Sequence, residues 1–281
     1  MFLQPSLDED IKNWLNEDIP NWDPHSVGID QEHDVKASII AKQDGTISGV
    51  SVLKRVFELC NIQVTVNVND GSHITKGTNI CTLLGKSISI LQAERTALNI
   101  FTHMSGITTM TSKMVELVRK NGSNIKIAGT RKTLPGLRKY QKYAIYCGGG
   151  DTHRINLESM IMLKENHISQ FNSITDAILS YKAKSSFSLK IEVEVRTLKE
   201  ALEAAKQNVD IIMLDNFDLS KLTDTIKQIK NINRAVLIEI SGRISIDNIS
   251  DYLQYPVDII SSGALTHSNV VFDTSLLFDD L

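Results

Sequence analysis

"LKIEVEVRTLKEALEAAKQNVDIIMLD", residues 189–215, holds two short apolar runs with one helical segment between them. In the first run Ile191, Val193 and Val195 alternate with Glu192 and Glu194, the period of two that belongs to a strand. Thr197 and Glu200 then stand at capping-box spacing, in which each side chain accepts the other residue's backbone N–H. Apolar Leu198, Ala201, Leu202 and Ala205 follow at helical spacing, and "DIIMLD" closes the segment as a second strand. Strand, capped helix, strand is the unit from which parallel sheets are built.

Working outward, the same kind of run recurs in "IKIAGT" (125–130), "SMIMLK" (159–164), "AVLIEIS" (235–241) and "VDIISSG" (257–263). Six strands alternating with helices predict a parallel α/β barrel or a doubly wound sheet. Before about residue 90 the pattern differs. A helical start is followed by "VKASIIA", "IQVTVNVNDG" and "ITKGTNICTLLG", which read as a small α/β unit on antiparallel strands. Within it, "NDGSHITKGTNICTLLG" (69–85) reads as a plain β-hairpin, because no lysine sits at a tip as a biotinyl or lipoyl carrier would need. From residue 91 a long amphipathic helix is expected, with Ala97, Leu98, Phe101 and Met104 on one stripe and Arg95, Asn99, Thr102 and Gly106 on the other. The boundary between the two parts falls just before it.

With 281 residues, 42% of them hydrophobic and 22% charged, the chain can bury one large core or two ordinary ones. No apolar run approaches the ~18 residues of a membrane span, and "MFLQPSLDEDIKNWL" lacks a basic-then-apolar leader, so a cytoplasmic protein is expected. Cys60, Cys81 and Cys147 share no metal-like spacing and read as reduced structural thiols.

Charge is unevenly placed. The stretch "KIAGTRKTLPGLRKYQKYAIYCGGGDTHR" (126–154) stands at +6 and the rest of the chain at −9, which points to an anionic ligand. Basic residues interleaved with Tyr140 and Tyr143 raise a nucleic-acid patch, against which the acidic remainder weighs. Arg138, Lys139 and Lys142 read as a solvated helical face. Arg131 and Lys132 differ, because they stand at a strand end, where a guanidinium fork and an ammonium suit carboxylate or phosphate. "GGGDTHR" reads as a flexible turn carrying His153 and Arg154, or as a close backbone approach to a ligand. Lys164 and His167 close the second strand, Glu194 the third, Asp215 the fourth, Ser241-Gly242 the fifth and Ser262-Gly263 the sixth. In parallel barrels the ligand site lies at those strand ends. Glu192 and Glu194 share a strand face and need a cation from Lys164, Arg131 or magnesium.

Read together, "AERTALNIFTHMSGI", "GTRKTLPGLRKYQKYA", "GGGDTHR", "LKENHI", "EVEV", "MLDNF", "EISGRI" and "SSGALTHS" resemble the quinolinate phosphoribosyltransferase family over nearly the whole chain. The resemblance implies a type II phosphoribosyltransferase fold, with an N-terminal α/β sandwich (1–90, joined by 268–281) and an incomplete six-stranded parallel α/β barrel (91–267). It also implies a homodimer with shared active sites. The implied reaction joins quinolinate to phosphoribosyl pyrophosphate with Mg2+, giving nicotinate mononucleotide, pyrophosphate and CO2 in NAD biosynthesis. By the same resemblance the quinolinate carboxylates meet Arg131, His153, Arg154 and Lys164, with Arg95 from the partner subunit. Lys132 and His167 serve pyrophosphate and its surroundings. Glu194 and Asp215 serve the ribose hydroxyls and magnesium, and Ser241, Gly242, Ser262 and Gly263 lie near the 5-phosphate. Lys132, Lys164, Glu194 and Asp215 are the expected catalytic set.

The chain departs from the family pattern at Gly129 (Asp in the family), Glu165 (Asp), Arg243 (Gly) and the N-terminal "EDIPNWDPHS". Alternatives are a same-fold paralogue with another acceptor, molybdenum-associated or nicotinate-using, and a non-catalytic anion- or RNA-binding protein. Lys164 in "KENHI" favours the quinolinate branch, since it supplies a cation for the extra carboxylate.

Overall fold

Six short apolar runs become the strands of one parallel sheet: β1 Lys126–Gly129, β2 Ile161–Leu163, β3 Ile191–Val195, β4 Ile211–Asp215, β5 Leu237–Ser241 and β6 Ile259–Ser262. The computed structural model describes residues 4–29 and 33–279, so the ends of the expected segments 1–90 and 268–281 lie outside the described residues. Sheet order is β1-β6-β5-β4-β3-β2. Every strand but β1 lies beside its neighbour in sequence, and β1 pairs with the last strand. Residues following β1 and β2, at the two ends of this order, line one cavity, so the sheet curls into a barrel that is incomplete between them. Asp151 partly fills the opening through a single parallel bridge to Ala128.

Register fixes which side chains face inward. Glu192 is opposite Met162 and Ile211, Glu194 opposite Met213, Met213 opposite Glu239, and Asp215 opposite Ser241. Partners across a parallel ladder share a face, so Glu192, Glu194, Met213, Asp215, Glu239 and Ser241 all point to the interior. On the outer face Val193, Ile212, Leu214 and Ile238 are fully buried, along with Ala201 and Ala204 of helix Leu198–Lys206 and Leu222 and Ile229 of helix Leu219–Ile232. Each larger aliphatic chain so covered contributes about 1.5–3 kcal/mol. The Thr197–Glu200 capping box forms in both halves, at 3.2 and 3.1 Å.

The chain divides into two compact units. One takes in the described residues up to Met110, Tyr146–Gly149 and those from Asn269 onward; the other is Thr111–Ile145 with Gly150–Ser268. In the first unit a four-stranded antiparallel sheet runs in the order Thr274–Phe278, Asp34–Ala41, Asn79–Lys86, Gln63–Val66. Helix Val50–Leu59 buries Val52, Leu53, Val56 and Phe57.

The hairpin expected at 69–85 does not form. His73–Ile74 pairs with Gly45–Thr46, whereas Asn79–Lys86 pairs with Asp34–Ala41 and Gln63–Val66. The turn between them is tied elsewhere, since Lys76 N–H donates to Asp44 Oδ1 at 2.7 Å. The long helix spans Ser87–Lys120, opening before residue 91 because Ser87, Ile90, Ala93 and Ala97 already form a buried stripe. Gly106 leaves the polar stripe: it is buried, and a Cβ there would stand 2.2 Å from the Val270 carbonyl. Among the described residues no helix is long and apolar enough to cross a membrane. Cys60, Cys81 and Cys147 form no disulfide among the described residues, and burial pushes the Cys81 thiol up to about 12.

Candidate active site

The C-terminal strand ends open into a cavity of about 1030 Å³. Arg131 and Lys132 after β1, Arg154, Lys164 after β2 and Arg243 after β5 bring five cations to it, with His153 beside Arg154; Glu194, Asp215 and Glu239 bring three acids; Ser241, Gly242 and Gly263 come from the last two strand ends. Ser262 and His167 are not among its lining. The Ser262 hydroxyl donates to the Ile244 carbonyl at 2.5 Å, and the exposed His167 accepts the Lys164 N–H on Nδ1 at 3.1 Å. Ser261 lines the cavity instead. Ladder register gives the reason: Glu239 is opposite Ile259, so the face that carries Glu239 and Ser241 continues through Ile259 and Ser261. Arg95 belongs to the first unit and is exposed.

The electrostatics are those of an anion receptor. Arg131 Nε is buried and has no hydrogen-bond partner among the described residues. Among the described residues the Arg154 guanidinium makes its hydrogen-bond contact with a thioether, Met162 Sδ, at 3.1 Å, and burial followed by the Arg131 charge pulls its pKa below the usual arginine value against the opposing pull of Glu192, Glu194 and Glu239. Lys164 and Glu194 form a short ion pair, and Asp215 stands 3.7 Å from Arg196 Nε. Gly242 holds φ at +113, and a Cβ there would meet Asn216 Oδ1 at 2.4 Å, so only glycine makes this turn.

Glu192 and Glu194 find different partners. Glu194 takes Lys164, one of the cations expected for it, whereas Glu192 is fully buried and lies 3.4 Å from His153 Nε2. Burial and then the Glu239 carboxylate push the Glu192 carboxyl well above the usual range. Glu239, also fully buried, lies 3.0 Å from the same ring nitrogen and accepts the Ser261 hydroxyl at 2.5 Å. It is absent from the residues singled out in the sequence, although "LIEIS" alternates as "IEVEV" does.

Lys142 corrects the solvated-face reading. It is 2% exposed and its ammonium donates to the Thr152 carbonyl, because the helix Arg138–Cys147 is enclosed on the side of Gln141 and Lys142 as well as on that of Ala144 and Ile145. Tyr140 is fully buried under Lys139, 5.1 Å from its ring centroid, so it has no face to offer a base.

The sequence matches the family "Quinolinate phosphoribosyl transferase, C-terminal domain" over residues 107–277 and the corresponding N-terminal domain over residues 23–105. This chain belongs to the quinolinate phosphoribosyl transferase family. A protein of Archaeoglobus fulgidus named "Probable nicotinate-nucleotide pyrophosphorylase (carboxylating)" is 42% identical over 245 residues, covering 86% of this chain and 94% of that protein. Nicotinate-nucleotide pyrophosphorylase (carboxylating) of Rattus norvegicus is 35% identical over 241 residues, covering 86% and 81%. The crystal structure of NadC from Streptococcus pyogenes superposes with a TM-score of 0.91 at 38% identity, over 100% of this chain and 99% of that one.

Against the quinolinate phosphoribosyl transferase pattern, the departures at Gly129 and Glu165 have visible accommodations. At Gly129 a Cβ would stand 2.3 Å from Ile145 Cδ1, so Ile145 occupies the space that an aspartate would need. Glu165 pairs with Arg196, and Arg243 adopts the left-handed φ of +53 beside Gly242. For a magnesium ion the donor set fits. Glu194 and Asp215 offer hard carboxylate oxygens on one sheet face, at 11% and 18% side-chain exposure, which leaves access for water and phosphate ligands.

Proposed function

We propose that this protein transfers the phosphoribosyl group of phosphoribosyl pyrophosphate to quinolinate, with loss of one carboxylate as CO2, giving nicotinate mononucleotide for NAD biosynthesis. One observation carries the reading: two guanidiniums, Arg131 with a buried unpaired Nε and Arg154 without an anionic partner in hydrogen-bond contact, are gathered in one cavity with Lys164. Such a group of like charges favours anions placed between them, and a dicarboxylate supplies two. The quinolinate carboxylates fall to Arg131, Arg154 and Lys164, and the departing pyrophosphate to Lys132. Glu194 and Asp215 face the ribose, where positive charge develops as the bond to pyrophosphate breaks, so their carboxylates favour the transition state over the ground state. Magnesium held by Glu194 and Asp215 would neutralise phosphate oxygens of the co-substrate. Ser241, Gly242 and Gly263 suit the 5-phosphate, with Ser262 behind them. Decarboxylation needs no organic cofactor: the ribosylated ring nitrogen is cationic and stabilises the carbanion left on the adjacent ring carbon as CO2 departs, and that carbon then takes a proton from water. We further propose a cytoplasmic homodimer in which Arg95 completes the partner's cavity.

The test is a product assay by mass spectrometry with magnesium, phosphoribosyl pyrophosphate and either quinolinate or nicotinate. One CO2 per nicotinate mononucleotide from quinolinate, with little turnover of nicotinate, is the expected result. Preference for nicotinate would move the protein to the other acceptor class.

A further inference from the structure

Five residues other than glycine hold a positive φ among the described residues. Four of them, Asn61, His153, Asn208 and Asn216, are of the types that enter this region most readily. Arg243, at φ +53, is the exception, because its long aliphatic stem gives the backbone no local hydrogen bond in return. Glycine would take the same conformation without strain. An arginine kept at such a position points to a task for its side chain.

The turn that carries Arg243 is held from several sides. Asn248 Nδ2 donates to the Arg243 carbonyl at 3.1 Å, and Asn248 Oδ1 accepts the Ser245 N–H at 2.9 Å. Between them Ile244 is buried, and its carbonyl accepts the Ser262 hydroxyl. Gly242, on the other side, lies against the Asn216 amide. Arg243 itself is exposed and lines the cavity, and among the described residues its guanidinium has neither an ion pair nor a hydrogen bond. Asp247, the acid nearest to it in sequence, accepts the Ser245 hydroxyl at 3.4 Å. The N–H groups of Gly242 and Arg243 likewise have no protein acceptor among the described residues, and successive N–H groups in a turn make a concavity suited to an anion.

Sheet register narrows down which anion this is. Ser241 lies opposite Asp215, the carboxylate proposed to face the ribose, and Gly242 and Arg243 follow Ser241 directly. Gly263 stands at the end of the neighbouring strand, since β5 pairs with β6. Arg131, Arg154 and Lys164 come instead from the ends of β1 and β2 and the segment between them, the place proposed for quinolinate. We infer that the Arg243 guanidinium binds the 5-phosphate of the co-substrate, as a fork whose two N–H groups meet two phosphate oxygens. Glycines at 242 and 263 let the phosphate approach the backbone, and Arg243 adds a full positive charge to those backbone contacts. The inference rests on the phosphoribosyl reading for the identity of the anion alone.

Ribose 5-phosphate carries the monoester without the pyrophosphate, and inorganic pyrophosphate the reverse, so titration calorimetry with each separates the two ends of the co-substrate. In Arg243→Gly the Kd for ribose 5-phosphate should rise at least about tenfold and the Kd for pyrophosphate by less than about threefold. Glycine takes this φ without strain, so the variant keeps the turn and loses the guanidinium alone. Arg243→Lys keeps the charge but not the fork, and should remain at least about threefold weaker than wild type toward ribose 5-phosphate. In turnover, Arg243→Gly should raise KM for phosphoribosyl pyrophosphate at least about tenfold and leave KM for quinolinate within about threefold of wild type. Equal loss for both probes would reduce Arg243 to a diffuse charge, and an unchanged Kd for ribose 5-phosphate would make it a solvated surface residue; either result overturns the inference. A wild-type protein that binds ribose 5-phosphate through Arg243 yet forms no nicotinate mononucleotide would keep Arg243 at a phosphate site and remove the quinolinate reading.

Discussion

An ammonium group that is almost wholly enclosed, on Lys142, spends its contact on one carbonyl, that of Thr152. Burial and then the charge of Arg138 bring its pKa down from 10.5 to about 8. The folded value lies below the unfolded one, so the cost of the buried cation is fully present below pH 8, where both states hold the proton. Between pH 8 and 10.5 the folded protein gives up its proton first, and stability is regained as pH rises. Lys142→Met keeps the apolar stem and removes the charge. Urea unfolding of both proteins across pH 7 to 11 should show wild-type stability climbing relative to the variant, by up to about 3 kcal/mol, with no change below pH 8. A difference that is flat across the whole range would mean that Lys142 titrates as an ordinary lysine. The lost carbonyl contact sets the sign of the offset between the two proteins, and the slope alone carries the prediction.

At the scale of elements, strand ends determine what reaches the cavity, and here the sequence is informative to an uneven degree. Alternation in "IEVEV" announces that Glu192 and Glu194 share a face, and the Thr197–Glu200 box announces where the next helix starts. Pairing of β1 with β6 is announced by nothing local, because it joins residues some 130 positions apart and depends on how the whole sheet curls. Choosing between Ser261 and Ser262 requires the register between β5 and β6, which no single strand contains. Lys142 is illegible for a related reason: helical periodicity shows one buried stripe, and a second neighbour enclosing the helix leaves no mark on it. The turn after β5 shows what an element end costs. Gly242→Ala meets both a positive φ and the Asn216 amide, and should lose about 1–3 kcal/mol of stability. Asn216 is itself at φ +53, so Asn216→Gly removes the obstructing amide without straining its own backbone. In a urea double-mutant cycle the pair should therefore lose less than the two single changes added together. Strict additivity would show that dihedral strain at Gly242 accounts for all of the cost.

For the molecule as a whole, a chain with formal net charge −3 concentrates its cations on one stretch that ends at the cavity, and Arg95 stands outside that stretch, exposed on the helix Ser87–Lys120. An exposed helical arginine that does nothing can be replaced by alanine almost neutrally. The proposed dimer gives it a different task, completing the partner's cavity. If it does so, Arg95→Ala and Lys164→Ala should each be nearly inactive, since every site then lacks one cation. Mixing them separates the two possibilities. In a heterodimer with one variant per subunit, a shared site places both changes in one cavity and leaves the other intact. A site built within one subunit leaves each cavity with one change. The measurement is to co-express the variants with different tags, isolate the doubly tagged dimer, confirm its assembly by sedimentation and determine its rate with quinolinate. Activity near half that of wild type is the expected outcome. A heterodimer as inactive as its parents would assign Arg95 to its own subunit's site.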